Sequence, residues 1–191
     1  MEIGLFFGSF NPIHVGHLVI ANVAYQTTDL DQVWFIVSPQ NPFKANKNLL
    51  HEFDRIDMVR AAIHDQYHFQ ASDIEFNMPR PSYTIDTLVR LSEKYPQHKF
   101  HLIIGEDNLA SFPKWKNAHM ILENYGLVVY PRINSKPSEL KDHEKVKWID
   151  APQINISATL IRKLVSKGGS PKYLVTDPVL EIIEGRKLFL D

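Results

Sequence analysis

Cysteine is absent from the 191 residues of this chain, which also lacks an excess of charge of either sign. Without cysteine, disulfides and thiolate metal sites are excluded, and a reducing cytoplasm is the compartment we expect. The formal net charge is −1, from 21 basic and 22 acidic residues. Because a surface for a polyanion needs clustered positive charge, we expect no nucleic-acid partner.

Two further absences concern membranes and nucleotide motifs. No apolar stretch approaches the ~20 residues needed to cross a bilayer, and the first residues lack the basic segment of a secretory signal, so no membrane association is expected. The sequence contains no G-x-G-x-x-G after its first apolar run and no G-x-x-x-x-G-K-[ST] anywhere. A nucleotide phosphate chain would therefore need another binding arrangement here.

Short apolar, β-branched runs alternate with helical spacings along the chain. The runs predict strands at 3–7, 33–37, 100–104, 127–130 and 146–149. Most of these runs are unbroken, as in strands that are covered on both faces. Alternation of strand and helix indicates right-handed βαβ units and a mostly parallel sheet.

Helical segments are predicted at 18–25, 53–63 and 84–95. The second has an apolar side made of Phe53, Ile56, Val59, Ala62 and Ile63, and the third carries Ile85, Leu88, Val89 and Leu91. The polar stretch 131–144 is predicted to be an exposed connection. From about residue 157 the pattern is helix, Gly168-Gly169 break and a second helix at about 177–185. We therefore predict one α/β domain over residues 1–191: a doubly wound, mostly parallel Rossmann-like sheet with a helical C-terminal cap.

The turn after the first predicted strand has the strongest functional pattern. Ligands of open α/β sheets bind beyond the carboxyl ends of the strands, and Gly8 lets the backbone approach a ligand there. His14 and His17, three residues apart, share one face of a helical first turn, beside free N–H groups that favour an anion. Surface or core-edge histidines and a zinc site are the alternatives, although no third zinc ligand is evident nearby.

The same turn carries a family resemblance. Its residues are Gly8-Ser9-Phe10-Asn11-Pro12-Ile13-His14-Val15-Gly16-His17. They resemble the G-S-F-[DN]-P-x-H-x-G-H signature of the nucleotidylyltransferase superfamily. The resemblance implies a Rossmann-like fold, ATP with Mg²⁺ and release of pyrophosphate. It also implies that Gly8, Ser9 and Phe10 contact ATP, and that His14 and His17 donate hydrogen bonds to its phosphates, with His17 nearest the transferred group.

A second superfamily element is Ile156-Ser157-Ala158-Thr159-Leu160-Ile161-Arg162, similar to the family's I-S-S-T-x-I-R box. Ser157 is an N-cap candidate, and Thr159 offers a hydroxyl in the first turn. Arg162 has a permanent positive charge and a forked arrangement of N–H donors. A capped helix with a surface arginine is the alternative. The resemblance implies that this box, with Ile156, binds ATP, that Arg162 and Thr159 hold the departing phosphates, and that Arg162 is catalytic with His14 and His17. Ala158 replaces the usual second serine.

Three middle segments resemble the nicotinate-nucleotide adenylyltransferase branch of that superfamily. They are Pro81-Ser82-Tyr83-Thr84-Ile85-Asp86-Thr87-Leu88, Ile104-Gly105-Glu106-Asp107 and Phe112-Pro113-Lys114-Trp115-Lys116. The resemblance assigns Gly105 and Asp107 to ATP. It assigns Asn11, Tyr83, Thr84, Trp115 and Lys116 to the acceptor. Thr84 is either a helix N-cap or the donor of a backbone N–H to a carboxylate, and Trp115 either stacks on the acceptor ring or lies in the core.

Lys44 aligns with a family P-x-K loop, and this chain has Phe43 where a histidine is common. Lys44 is either an acceptor phosphate contact or a solvated loop lysine. Mg²⁺ is expected to stay on the ATP phosphates, with few protein ligands and no dedicated metal site. A homo-oligomer is left open.

These resemblances predict an enzyme that transfers AMP from ATP to the 5′-phosphate of nicotinate mononucleotide in NAD biosynthesis. Sibling enzymes acting on nicotinamide mononucleotide or phosphopantetheine are the nearest alternatives. The second of these tends to have threonine at the position of His14. A catalytically silent nucleotide-binding module and, more distantly, a zinc hydrolase are alternatives from other classes.

Overall fold

The computed structural model describes residues 1–39, 49–133 and 135–190, which contain a six-stranded sheet. Its strands are β1 (Glu2–Gly8), β2 (Gln32–Val37), β3 (Phe69–Ser72), β4 (Lys99–Gly105), β5 (Leu127–Tyr130) and β6 (Val146–Trp148). All neighbouring pairs are parallel, and their order is β3-β2-β1-β4-β5-β6. The strand order reverses between β1 and β4, the place where doubly wound sheets bind ligands.

Within these described ranges, seven α-helices connect and cover the strands. They are α1 (Val15–Thr27), α2 (Glu52–Ala62), α3 (Thr84–Lys94), α4 (Glu106–Leu109), α5 (Ala118–Tyr125), α6 (Ala158–Val165) and α7 (Asp177–Gly185). Short 3-10 helices lie at Ile74–Asn77 and Phe112–Lys114. None of the helices in the described part of the chain has the length and apolarity to span a bilayer.

The core has two halves because the side chains of each strand alternate between the two faces of the sheet. Phe6 of β1 packs on the face covered by α1, α2, α6 and α7, whereas Ile3 and Leu5 pack on the face covered by α3 and α5. The C-terminal helices share the first half of the core through Ile161 and Val179. Burial on both faces explains the unbroken apolar runs of the central strands.

The predicted doubly wound parallel sheet is confirmed, and all five predicted strands are present within a residue or two of their bounds. Strand β3 was missed because it is a four-residue edge strand with polar Gln70 and Ser72 among its residues. The connection 131–144 contains no helix or strand within its described residues. The helix break at Gly168-Gly169 and the final helix at 177–185 are confirmed.

Three details of the helix predictions were wrong. Phe53 is 60% exposed, since it lies in the first turn of α2 and stacks on His51 instead of facing the core. Val89 is 43% exposed, because Ile85, Leu88 and Leu91 occupy the inner face of α3. Thr84 is the first residue of α3 and not its N-cap, which is Tyr83.

Candidate active site

The turn between β1 and α1 is held tightly against the core. Phe10 has a φ of 44°, a left-handed conformation that is uncommon for a residue with a side chain. Its ring is 2% exposed and packs edge-on against Phe6 and Phe35, which keeps the backbone in this shape. A Cβ on Gly8 would lie 2.7 Å from the Phe10 ring. Glycine is therefore required where β1 ends.

The rings of His14 and His17 are brought together by this turn. Their centroids are 3.8 Å apart and the rings are stacked. His14 is the N-cap of α1, and its backbone N–H donates to Nδ1 of His17 at 3.2 Å. In a neutral imidazole the other nitrogen then carries the hydrogen, so Nε2 of His17 is a donor. Gly16 leaves room for the pair, because a Cβ there would lie 3.1 Å from the His14 ring.

Both histidines are neutral at physiological pH. Burial lowers the pKa of His14 to about 4, with a smaller contribution from the charge of Arg132. Burial also lowers the pKa of His17 well below its usual value, and His14 and Arg132 add to this. Nδ1 of His14 is buried without a hydrogen-bond partner among the described residues. An unsatisfied buried atom of this kind is a feature of functional sites.

Helix α6 brings the C-terminal motif to the same turn. Ser157 is its N-cap and accepts the Leu160 N–H at 3.2 Å, as predicted. Arg162 donates through Nη1 to the backbone carbonyl of Asn11 at 2.7 Å and through Nη2 to the Thr159 hydroxyl at 3.3 Å. Residues 151 positions apart thus meet at the end of β1.

These residues line a cavity of about 600 Å³, called here the histidine lobe. Ten of the eleven residues that the sequence assigned to ATP line it: Gly8, Ser9, Phe10, His14, His17, Asp107, Ile156, Ser157, Thr159 and Arg162. Asn11, assigned to the acceptor, also lies here, and its side chain accepts the Leu50 N–H at 3.3 Å. The two superfamily motifs therefore form one site.

A second cavity of about 580 Å³, the tryptophan lobe, adjoins the first. It contains four of the residues assigned to the acceptor, namely Tyr83, Thr84, Trp115 and Lys116. Gly105, assigned to ATP, lines this lobe instead. The two lobes share wall residues at the ends of β1, β4 and β5: Phe6, Phe7, Gly8, Ser9, Asp107, Tyr130 and Arg132.

The start of α3 faces the tryptophan lobe. Its first backbone bonds run from the N–H groups of Asp86 and Thr87 to the Tyr83 carbonyl, at 2.9 and 3.2 Å. The N–H groups of Thr84 and Ile85 precede these bonds and have no acceptor in the described part of the chain. Such N–H groups at the first turn of a helix can bind a carboxylate.

Trp115 lies between the core and the tryptophan lobe. Its half-buried ring packs on Phe112, with ring centroids 5.5 Å apart, and also lines the cavity. Next to it, the Lys116 ammonium lies 2.9 Å from both carboxylate oxygens of Asp86 and 4.9 Å from the centroid of the Tyr83 ring. Trp115 therefore packs on the core and presents a face to the cavity, and its stacking on an acceptor ring stays a prediction.

Sequence reasoning missed Arg132, whose charge lies between the two lobes. Its guanidinium is 3.6 Å from the Asp107 carboxylate and 5.4 Å from the centroid of the Tyr130 ring. Arg132 follows β5 by two residues, and the rule that ligands bind at the carboxyl ends of strands would have found it. It adds a cation to each lobe.

Arg55 was also missed, because an arginine inside a helix is expected on the solvent side. It is fully buried, and its guanidinium donates to the backbone carbonyls of Ser9, Ser38, Pro39 and Leu50 at 2.6–3.1 Å. Burial lowers its pKa to about 10, so it remains charged at neutral pH. This side chain ties together the segments that follow β1 and β2.

The donors present fit a Mg²⁺ ion that remains on ATP phosphates. Asp107 is the acidic residue that lines both lobes. Within the described ranges, no three His, Cys, Asp or Glu side chains come together. One carboxylate, with phosphate oxygens and waters, is a usual set for Mg²⁺. Lys44 lies outside the described residues.

Comparisons with known proteins agree with this geometry. The family described as cytidylyltransferase-like matches residues 5–164. A protein of Cytophaga hutchinsonii named "Probable nicotinate-nucleotide adenylyltransferase" is 60% identical over 189 residues, which cover 99% of this chain and 98% of that protein. A protein of the same name from Bacteroides thetaiotaomicron is 40% identical over 96% of this chain and 91% of its own length.

Among solved structures, the fold is similar to that of the Plasmodium falciparum nicotinic acid mononucleotide adenylyltransferase complexed with NaAD. The TM-score is 0.81 at 21% identity, and the match covers 98% of this chain and 97% of the other. The same enzyme complexed with APC gives a TM-score of 0.80 at 20% identity, covering 98% and 96%.

Proposed function

The chain belongs to the nicotinate-nucleotide adenylyltransferases, within the cytidylyltransferase-like family, and we propose that its two lobes bind ATP beside nicotinate mononucleotide. ATP takes the histidine lobe and the mononucleotide takes the tryptophan lobe. The enzyme transfers AMP from the first to the second and releases pyrophosphate and nicotinate adenine dinucleotide, a step of NAD biosynthesis.

The shared wall between the lobes is the observation that carries this assignment. Gly8, Ser9, Asp107 and Arg132 line both cavities, so ligands in the two lobes meet at the end of β1. The ring of Trp115 lies in one lobe, and the stacked histidines and Arg162 lie in the other. This arrangement suits a flat ring bearing a carboxylate on one side and a triphosphate on the other.

The chemistry needs positioning more than proton transfer. An oxygen of the acceptor phosphate forms a bond to the α-phosphorus of ATP, and the bond from that phosphorus to the bridging oxygen of pyrophosphate breaks. The attacking phosphate is already an anion, so no general base is required. What the protein contributes is alignment of the two phosphates and stabilisation of the negative charge on the oxygens of the transferred group.

Several polar side chains of the histidine lobe have roles in this step. His17 donates from Nε2 to the transferred phosphoryl group. A neutral His17 ring suits this role, because its single N–H is then fixed at Nε2 by the bond that Nδ1 accepts. Arg162 and Thr159 hold the departing phosphates, and Arg132 faces the point where the two phosphates meet. Mg²⁺ on the ATP phosphates would neutralise part of their charge, and Asp107, which lines both lobes, is the side chain that would hold the ion or its waters.

In the tryptophan lobe, Trp115 stacks on the nicotinate ring, and the backbone N–H groups of Thr84 and Lys116 bind its carboxylate. Such N–H donors distinguish an acid from an amide, because an amide presents one oxygen and a competing NH₂. This favours nicotinate mononucleotide over nicotinamide mononucleotide. A contact from Lys44, a cytoplasmic location and self-association stay predictions.

The decisive experiment measures pyrophosphate release from ATP and Mg²⁺ with three acceptors supplied separately: nicotinate mononucleotide, nicotinamide mononucleotide and phosphopantetheine. We expect kcat/KM for the nicotinate acceptor to be highest. Preference for another acceptor would retain adenylyl transfer and refute the assignment of the tryptophan lobe. ATP binding without release from any acceptor would identify a silent nucleotide-binding module.

A further inference from the structure

A buried carboxylate lies in the wall of the tryptophan lobe. Glu75, in the 3-10 helix that follows β3, is 2% exposed. It accepts hydrogen bonds from the Ser82 hydroxyl at 2.9 Å and the Thr87 hydroxyl at 2.7 Å. Burial raises the pKa of Glu75, and these two hydroxyls and the neighbouring Ser38 side chain act against that rise. No lysine or arginine of the described residues forms an ion pair with Glu75. Burying a carboxylate that is bonded only to neutral donors costs free energy of folding. The presence of Glu75 at this position therefore needs an explanation.

The three hydroxyl groups belong to segments that form the tryptophan lobe. Ser38 follows β2, Ser82 directly precedes Tyr83, and Thr87 lies in the first turn of α3. The Tyr83–Thr84 pair is thus held on both sides by bonds to one carboxylate. The Thr87 hydroxyl also lies 3.4 Å from the Tyr83 carbonyl. Thr87 therefore contacts both Glu75 and the Tyr83–Thr84 turn.

Ser38 connects this cluster to the other buried charge. Its backbone carbonyl accepts from Arg55 at 2.8 Å, and Arg55 also binds the carbonyl of Ser9 in the wall shared by both lobes. Glu75 therefore fixes the start of α3 relative to the end of β1, where the transferred group lies.

We propose that Glu75 is a positioning residue for the acceptor. By accepting from Ser82 and Thr87, it holds the Tyr83–Thr84 turn so that the N–H groups of α3 face the acceptor carboxylate before the acceptor binds. This inference rests on the proposed function of the tryptophan lobe. When the carboxylate is removed, binding has to order the turn, and that cost weakens acceptor binding while ATP binding is unchanged.

A purely structural role for Glu75 makes a different prediction. General loosening of the core would lower thermal stability and raise the KM of both substrates together. A positioning role raises the KM of the acceptor alone. Gln at this position keeps an acceptor oxygen and similar volume, so it should largely restore acceptor binding, since the Ser and Thr hydroxyls can rotate to accept from its NH₂ group.

The test compares steady-state kinetics of the full chain and four variants: Glu75→Ala, Glu75→Gln, Thr87→Val and Ser92→Ala. Ser92 is the matched control, because its hydroxyl bonds to the Leu88 carbonyl on α3 and does not contact Glu75. We expect Glu75→Ala to raise the KM for nicotinate mononucleotide about tenfold, which is about 1.4 kcal/mol, and the KM for ATP less than twofold. Thr87→Val should raise the acceptor KM about threefold, and Glu75→Gln and Ser92→Ala less than twofold.

An unchanged acceptor KM in Glu75→Ala, or equal increases for both substrates, would overturn the inference. Should Glu75→Ala not fold, Thr87→Val decides, because it removes one bond to the carboxylate and retains the volume of the side chain. Failure of the wild-type protein to convert nicotinate mononucleotide would refute the proposed function and the inference together. Normal wild-type turnover with no separation of the two KM values refutes the inference alone.

Discussion

The histidine lobe and the tryptophan lobe are assembled from the chain in different ways. The first takes most of its polar groups from two continuous segments, 8–17 and 156–162, which meet through the bond from Arg162 to the Asn11 carbonyl. The second takes Tyr83, Trp115 and Arg132 from three separate connections of the sheet. The buried charge beside each lobe also differs: Arg55 binds carbonyl groups behind the first, and Glu75 binds hydroxyl groups behind the second.

A different kind of buried group holds each lobe in a fixed shape. Behind the histidine lobe, the buried guanidinium of Arg55 donates hydrogen bonds to backbone carbonyls. The N–H groups and rings of the turn are then left to face an anionic ligand. Behind the tryptophan lobe, a carboxylate fixes the start of one helix, whose N–H groups then face the ligand. In each lobe the buried charge holds a neighbouring segment in place, Arg55 through backbone carbonyls and Glu75 through side-chain hydroxyls.

Arg55→Met should have the largest effect on stability. The substitution leaves the carbonyls of Ser9, Ser38, Pro39 and Leu50 without their shared donor. Breaking a buried charged network of this kind costs about 3–5 kcal/mol of unfolding free energy. Urea unfolding followed by circular dichroism measures the loss.

Arg60→Met is the control for Arg55, since Arg60 lies on the same helix and its side chain is 54% exposed, with carboxylates no closer than 3.7 Å. It should cost less than about 1 kcal/mol. Equal small losses of unfolding free energy in Arg55→Met and Arg60→Met would show that Arg55 does not support the segments that follow β1 and β2.

His17→Ala should have the largest effect on the chemical step. It removes the donor that we assign to the transferred phosphoryl group, and loss of one such donor lowers kcat about 10²–10³-fold. The KM for ATP should change much less. Exposed His64, which bonds only to the Ala61 carbonyl among described residues, is the control, and His64→Ala should leave kcat unchanged. A near-normal kcat for His17→Ala would contradict the role assigned to this ring.

The sequence predicted the sheet and the histidine lobe, but not the two buried charges beside the lobes. The parallel sheet and the histidine lobe were predictable, because unbroken apolar runs and two continuous motifs specify them. Arg55 and Glu75 were not, since polarity alone places a charged residue on the surface and their partners are distant in sequence or are backbone atoms. Gly105 was assigned to ATP by its motif yet, at the end of β4, it lines the tryptophan lobe.

His14→Gln should alter the pH dependence of stability. The pKa of His14 falls from 6.5 to about 4 on folding, so between these values the unfolded chain binds more protons than the folded one. Stability therefore rises with pH across this window and is lost as the pH falls through it. At about 1.36 kcal/mol per pKa unit, His14 accounts for about 3 kcal/mol of that loss.

Urea unfolding of wild type and His14→Gln at intervals from pH 7 to pH 4 measures this effect. The stability of wild type should fall more steeply below pH 6.5 than the stability of His14→Gln. Parallel curves for wild type and His14→Gln would mean that the ring of His14 is solvated, contrary to its burial in the wall of the histidine lobe.

Trp115→Ala tests the tryptophan lobe directly. Loss of the stacking surface should raise the KM for nicotinate mononucleotide about tenfold and change the KM for ATP less than twofold. Trp115→Phe, which keeps a ring on Phe112, should recover most of the affinity. If the acceptor KM of Trp115→Ala stayed at the wild-type value, Trp115 would belong to the core alone.

Lys116→Met should have the smallest effect and separates the backbone of this residue from its charge. The ammonium is already paired with Asp86 at 2.9 Å, and both side chains are nearly half exposed, so the pair contributes little. The backbone N–H, to which we assign the acceptor contact, is retained in the variant. We expect the acceptor KM to rise less than threefold. A rise as large as that of Trp115→Ala, reproduced in Asp86→Asn, would instead mean that the tryptophan lobe binds its anion with the paired side-chain charge, as Arg162 is assigned to do in the histidine lobe.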